Sequence, residues 1–372
     1  MARAVAVRAL SSVPPSRYGG RMAERETMMD SGQAVSAQVG APQFEPNGDV
    51  RVPAFVLPAS RLLSPEALAA QRARALAPPF DPASEEPNIA LRRRQIEDYA
   101  APAAARLRES FPVTISEATI GGVEVLDVTP ASGGHDPDRV LINLHGGAFI
   151  VGWSSIALME AIPLAVLANY RIVTVNYRMA PEHKHPAAVE DVAAVYAALL
   201  EHYRPERIGI YGGSAGGALT AQAAAWLPTH GLPQAGAIGI FGAGGVPFSA
   251  GESAYVAGYI DGSFPPPPPD GSEAADITRG YFSACDPRDA SVSPGYHPDV
   301  LARFPPTLII TGTRALDLSP AIYTNSQLLK AGVRSTLIVG EGMGHCYYYN
   351  LALPEARDAY AAMVAFFREN LA

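Results

Sequence analysis

The stretch IGIYGGSAGGALTAQAAAW, residues 208–226, opens as an apolar segment of strand character. It passes through Gly212-Gly213-Ser214-Ala215-Gly216 and ends in an alanine-rich segment of helix character. This is G-x-S-x-G with a strand before it and a helix after it. A turn this tight puts the serine in a strained backbone conformation, and the flanking glycines let neighbouring elements approach. The Ser214 hydroxyl then stands at a helix N-terminus, whose positive end favours developing negative charge. A bare G-x-S-x-G is common by chance. The strand–turn–helix context makes Ser214 a candidate nucleophile.

On either side of this stretch, short apolar runs alternate with helical segments. The runs are VLINLH (140–145), RIVTVNY (171–177), RIGIYG (207–212), AIGIFG (237–242), TLIITG (307–312) and TLIVGEG (336–342). Between them lie segments such as AAVEDVAAVYAALLEHY, with Val192, Val195, Tyr196 and Leu199 on one helical face. Strands alternating with helices imply an α/β fold with a mostly parallel sheet, covered on both faces. Upstream, FPVTISEATIGGVEVLDVTP alternates like two strands joined at Gly121-Gly122. SPEALAAQRARALA (64–77) and NIALRRRQIEDYAAPAAARLRESF read as helices, with Ser64 suited to capping the first. The expected organisation is a disordered leader over 1–48, cap or lid helices over 49–110, and a catalytic domain over 111–372. An irregular excursion at 244–306 includes FPPPPPDG, and a long irregular excursion is more often a functional loop than a plain connector.

Composition narrows the function. Of 372 residues, 48% are hydrophobic, enough for a substantial core. A net charge of −8 argues against a nucleic-acid partner, which needs a basic footprint. Two cysteines, Cys285 and Cys346, are too few for a disulfide scaffold, and no apolar run is long enough to span a membrane. Residues 1–25 carry five arginines and one acid, a composition similar to a mitochondrial transit peptide. The plainer reading, a disordered leader or a start placed too early, is preferred, and with it a cytoplasmic location.

Two further motifs complete the site. In LINLHGGAFIVGW (141–153) a strand ends at His145-Gly146-Gly147-Ala148. Small residues there let backbone N–H groups turn toward a carbonyl oxygen. Gly147 and Ala148, with Gly146 as a further candidate, would form an oxyanion hole together with the N–H of Ala215. His145 reads as structural. In VGEGMGHCYYYN (339–350) His345 lies on a glycine-rich loop after the last strand, in the chain position expected of a general base. Phe149, Trp153 and Tyr255 are candidate pocket walls or core, and Cys346 is a candidate packed residue. Glu182, His183 and His185 make an incomplete metal set, so no metal and no cofactor is expected.

These motifs resemble the bacterial hormone-sensitive-lipase-like group of α/β-hydrolase serine esterases. The matching residues are His145-Gly146-Gly147-Ala148-Phe149, Gly212 to Gly217 and Glu341-Gly342-Met343-Gly344-His345, with YRMAPEHKHPAAVEDV (177–192) between the first two. The resemblance implies the α/β-hydrolase fold, a cap from N-terminal helices, and hydrolysis of short-chain carboxylic esters without a cofactor. It also implies a triad acid directly after Gly312-Thr313-Arg314, where this chain has Ala315. Asp317 lies two residues later, a displacement of ~6.5 Å in extended chain. Three readings compete: Asp317 serves from a loop reshaped by a bulge, another carboxylate (Asp286, Asp289 or Glu341) serves, or none does. The first is preferred.

The expectation is therefore a serine carboxylesterase acting on a small-molecule ester, with Ser214, His345 and Asp317 as triad and Gly146, Gly147, Ala148 and Ala215 around the oxyanion. Rivals are a lactonase, amidase or acyltransferase with the same triad, and a non-catalytic binding protein with a degraded acid position. A homo-oligomer is left open.

Overall fold

The computed structural model describes residues 40–74, 76, 86–261 and 276–371. The expected leader over 1–39 and the FPPPPPDG segment lie outside these residues. Two compact units divide the chain, Met1–Pro58 and Ala59–Ala372. In the first, β1 (Gln43–Phe44) pairs antiparallel with β2 (Val50–Arg51), so the stretch expected to be unstructured up to residue 48 already contains a strand.

The second unit begins with α1 (Pro65–Arg74) and α2 (Ile89–Ser110). Ser64 Oγ accepts from Ala67 N–H at 3.0 Å, and Asn88 Oδ1 accepts from Ala90 and Leu91 N–H at 3.0 and 3.2 Å. Both helices thus start on a side-chain oxygen that satisfies an otherwise orphan donor. There follow β3 (Val113–Ile120), β4 (Val123–Pro130), β5 (Asp136–Leu144), α3 (Ser155–Ala168), β6 (Tyr170–Val175), α4 (Ala187–Leu199), β7 (Ile208–Gly213), α5 (Ala215–Thr229) and β8 (Ala237–Phe241). The chain ends with α6 (Ala257–Asp261), α7 (Pro298–Leu301), β9 (Thr307–Gly312), α8 (Leu318–Lys330), β10 (Ser335–Gly340) and α9 (Pro354–Asn370).

Strands β3 to β10 form one sheet in the order β10-β9-β8-β7-β5-β6-β4-β3. Pairing is parallel from β10 through to β6, and antiparallel where β4 joins β6 and β3 joins β4. Continuous apolar sequence in the central strands follows from burial on both faces. Ile142 and Leu144 point into one core layer with Val192 of α4 and Leu219 of α5, while Leu141 points into the other with Ile162 of α3 and Phe367 of α9. Because β5 and β7 are neighbours, the loops at their C-terminal ends lie side by side, where open α/β sheets place their sites.

The excursion at 244–306 is less irregular than expected. Its described part holds α6, α7 and single turns at Phe248–Ala250, Glu252–Ala254 and Pro294–Tyr296.

Candidate active site

Ser214 sits between β7 and α5 with φ 56° and ψ −120°, a conformation that costs an L-residue ~1–3 kcal/mol. The surrounding backbone enforces it. Ser214 N–H donates to Phe241 O at 2.8 Å. A Cβ on Gly212 would lie 2.2 Å from Leu144 O, and one on Gly216 would lie 1.7 Å from the same oxygen. Only glycine fits at these two positions, which is what lets the turn close against the end of β5.

His345 Nε2 lies 2.9 Å from Ser214 Oγ, and its Nδ1 lies 2.6 Å from Asp317 Oδ1. The Asp317 side chain is fully buried and that of His345 is 12% exposed. Asp317 Oδ2 accepts from the Thr311 hydroxyl at 2.5 Å. Burial works against the imidazolium, but the Cys346 sulfur and the Asp317 carboxylate outweigh it and hold the His345 pKa well above 6.5.

The two-residue displacement of Asp317 is taken up by turns rather than by a bulge. Arg314 N–H donates to Met343 O at 2.9 Å, Ala315 N–H to Gly312 O at 3.1 Å, and Leu318 N–H to Ala315 O at 3.1 Å. Ala315 is fully buried where the chain curls, and Asp317 ends up at the N-terminus of α8. Ser253, on the excursion, clasps the same loop. Its Oγ donates to Leu316 O at 2.6 Å and accepts from Ser319 N–H at 2.9 Å, while its own N–H donates to Ser319 Oγ at 3.1 Å. The other carboxylates lie elsewhere: Asp286, Asp289 and Glu341 are exposed, and the first two hold their own turns through Arg288 and Ser291 N–H.

The loop after β5 carries positive φ at Gly147 (121°), Ala148 (54°) and Phe149 (62°). Among the described residues, the N–H groups of Gly147, Ala148 and Ala215 have no protein acceptor. Gly146 differs from the expectation: its N–H donates to Glu160 Oε1 at 3.1 Å, so it is not free to meet an oxyanion. His145 is fully buried and stacked on Tyr177, with ring centroids 4.3 Å apart, and burial pulls its pKa down to about 4. It is a neutral strut of this loop.

Helix α2 braces the loop from outside. Arg93 donates to Ile150 O at 2.9 Å and Ala180 O at 3.0 Å while pairing with Glu182. Glu97 accepts from Ser154 N–H, Ser155 N–H and the Ser155 hydroxyl, at 3.1, 3.0 and 2.6 Å, and so caps α3. Helix α1 does the same for the histidine loop: Gln71 Nε2 donates to Gly342 O at 2.7 Å, and Ala67 packs with Met343, Leu353 and Ala356.

Of the candidate pocket walls, Phe149 turns inward instead and stacks on Tyr281 at 4.6 Å, Trp153 is half-buried, and Tyr255 is exposed. Cys346 is buried and accepts from the Tyr348 hydroxyl at 3.3 Å. Glu182 is taken by Arg93, and His185 Nε2 lies 3.0 Å from Ser291 Oγ. No helix among the described residues is long and apolar enough to cross a membrane.

Sequence reasoning missed Glu160. It is fully enclosed on α3, and burial pushes its carboxyl up to about 7, against the pull of donors on Tyr349, Asn143, Gly146 and Gly213. The only available signal was a lone acid inside the apolar run SSIALMEAIPLAVLA (154–168).

Residues 141–349 match a family model of the α/β-hydrolase fold. An acetyl-hydrolase of Streptomyces hygroscopicus is 30% identical over 67% of this chain and 81% of its own length. A crystallised esterase superposes with a TM-score of 0.73 at 30% identity, over 87% of this chain and 99% of that one. An esterase of the bacterial hormone-sensitive lipase family superposes with a TM-score of 0.68 at 27% identity, over 82% and 97%. The chain belongs to the α/β-hydrolase family, among its hormone-sensitive-lipase-like carboxylic ester hydrolases.

Proposed function

We propose that this carboxylic ester hydrolase works through an acyl-enzyme on Ser214 and prefers short-chain esters. The observation that carries the reading is the unbroken hydrogen-bonded path from Asp317 through His345 to Ser214, beside three unclaimed backbone N–H groups. Ser214 Oγ attacks the ester carbonyl as its proton passes to His345 Nε2. Asp317 holds the ring by its other nitrogen and stabilises the cation that forms. The carbonyl oxygen, now negative, is met by the N–H groups of Gly147, Ala148 and Ala215. The C–O bond to the alcohol breaks, and His345 returns the proton to the departing alkoxide. Water then attacks the acyl-enzyme as His345 takes its proton, the acyl–Oγ bond breaks to release the carboxylic acid, and His345 Nε2 returns the proton to Ser214 Oγ.

Two points support short acyl groups. The Streptomyces relative is named for acetyl groups. The Phe248 ring also stands edge-on to His345 at 6.1 Å, beside the reacting atoms.

The test is turnover of p-nitrophenyl acetate, butyrate and octanoate by the wild type and by Ser214→Ala. The wild type should favour the two shorter esters and release a burst of p-nitrophenol, and Ser214→Ala should lose roughly 10⁴-fold or more. A folded wild type as inert as Ser214→Ala would sink the reading.

A further inference from the structure

One carboxylate lies beneath three loops of the site. Glu160 Oε1 accepts from Gly146 N–H at 3.1 Å and from the Tyr349 hydroxyl. Oε2 accepts from Asn143 Nδ2 at 2.8 Å and from Gly213 N–H at 3.3 Å. Gly146 opens the oxyanion loop, Gly213 precedes the nucleophile, and Tyr349 belongs to the loop that carries His345. Asn143 is itself oriented, because its Oδ1 accepts from Thr174 Oγ1 at 2.8 Å and its amide nitrogen must then face Glu160.

The elbow has been left open for this arrangement. A Cβ on Gly213 would lie 2.5 Å from the Tyr348 hydroxyl, 2.7 Å from the Tyr349 hydroxyl and 2.8 Å from Glu160 Oε1. The second position of G-x-S-x-G therefore has no side chain, because the carboxylate and two tyrosines fill its space.

Nothing pairs with Glu160 as a charge. The groups that feel it most are Tyr177, Tyr211, Tyr349 and Tyr360, whose hydroxyls are held protonated by burial first and by its carboxylate second. Among the described residues it forms no ion pair, and the groups that pull hardest on its ionisation are the neutral donors of Tyr349, Asn143, Gly146 and Gly213. Its four neighbours are neutral donors, so its use is as a many-way acceptor.

We propose that Glu160 is a positioning residue that holds the oxyanion loop, the nucleophile elbow and the histidine loop in one register. Its effect on rate rests on the esterase reading; its effect on the loops does not. A buried network of this kind fixes one arrangement only when every member is satisfied.

Glutamine has the same shape but one oxygen and one NH₂, so a donor must meet a donor. If the NH₂ takes the place of Oε1, the Tyr349 hydroxyl can turn to accept, and only Gly146 N–H is stranded. If it takes the place of Oε2, it faces both Asn143 Nδ2 and Gly213 N–H. The first conflict is the smaller, so the damage falls on the oxyanion loop. That loop acts in the transition state, so kcat falls while KM holds.

The experiment compares wild type, Glu160→Gln and Tyr349→Phe by hydrogen–deuterium exchange of peptides covering 144–152, 211–217 and 343–350. The same proteins are assayed for kcat and KM on p-nitrophenyl butyrate. Glu160→Gln is expected to exchange faster above all in 144–152, with smaller rises in 211–217 and 343–350, while the sheet stays protected, with kcat down about 10- to 100-fold and KM within about threefold. Tyr349→Phe removes one tie, and should speed exchange in 343–350 alone with a smaller drop in kcat. It also stands in should Glu160→Gln fail to fold. Unchanged loops in Glu160→Gln, faster exchange confined to α3, or a 343–350 segment in Tyr349→Phe that behaves as wild type would each overturn the proposal. An inert wild type would sink the esterase reading alone, since exchange still reports whether Glu160 holds the loops.

Discussion

The acid loop and the oxyanion loop each depart from the pattern of their family, and they absorb the departure differently. The acid loop carries Ala315 where the acid is expected, and curls through two short turns that deliver Asp317 without a left-handed residue. The oxyanion loop carries Ala148 at the place of the third glycine of an HGGG-type motif, and it keeps the left-handed backbone at φ 54°. The first is a change of path with hydrogen bonds to follow it. The second retains the path and leaves ~1–2 kcal/mol of strain at an L-residue, which outside bonds must hold. Those bonds come from Glu160 below and Arg93 above. A relocated side chain needs a reshaped loop; a retained backbone needs a brace.

The largest effect is expected at Asp317. Asp317→Asn is expected to lower kcat by about 10³- to 10⁴-fold while the loop stays folded, because the amide stabilises neither the ring orientation nor the cation. The pH profile sharpens this. Only neutral His345 accepts the serine proton, and its pKa is held above 6.5, so wild-type kcat/KM should rise with pH through a midpoint above 6.5. In Asp317→Asn the burial that disfavours the cation remains and the carboxylate is gone, so the midpoint should move down. Near-full activity in this variant, with an unmoved midpoint, would mean that another group serves.

A smaller effect tests what holds the relocated carboxylate. Thr311→Val keeps the shape and removes the hydroxyl 2.5 Å from Asp317 Oδ2. Stranding a buried carboxylate oxygen should cost about 1–3 kcal/mol in denaturant unfolding and lower kcat about tenfold. A variant as stable and active as wild type would show that the turns alone position Asp317. The smallest effect belongs to the other loop. Ala148→Gly should raise the unfolding midpoint slightly and leave kcat within about twofold, since it relieves a left-handed alanine and retains the N–H. A marked loss of activity would mean that Ala148 is held by its methyl group and not merely tolerated.

Much of this was legible in the sequence. The runs VLINLH, RIGIYG and TLIITG announce buried parallel strands because both faces of the sheet are covered, and all but the edges of those strands are fully enclosed. The elbow was legible because G-x-S-x-G between a strand and a helix announces itself within a few residues. The acid loop was legible in its residue but not in its shape, because the turn at Arg314 is fixed by Met343 O, far along the chain. Gly146 looked available as a donor because its acceptor is a side chain on another element. Glu160 was hidden for the same reason. A lone acid in an apolar helix has no motif, and its meaning lies in Gly213, Tyr349 and Asn143, which only folding brings to it.

The braces of α1 also set a timetable for the molecule. Ser64 N–H and Oγ bond to Glu355, 291 residues away, and Gln71 bonds to Gly342 across 271 residues. A chain emerging from the ribosome N-terminus first therefore makes α1 long before its anchors exist. The elbow and oxyanion loop can form while the histidine loop is still unmade. A nascent chain that has passed the elbow but not the histidine loop would then present a strained, unarmed serine. Hydrolytic power arrives only once the histidine loop has been made and α9 has docked against α1.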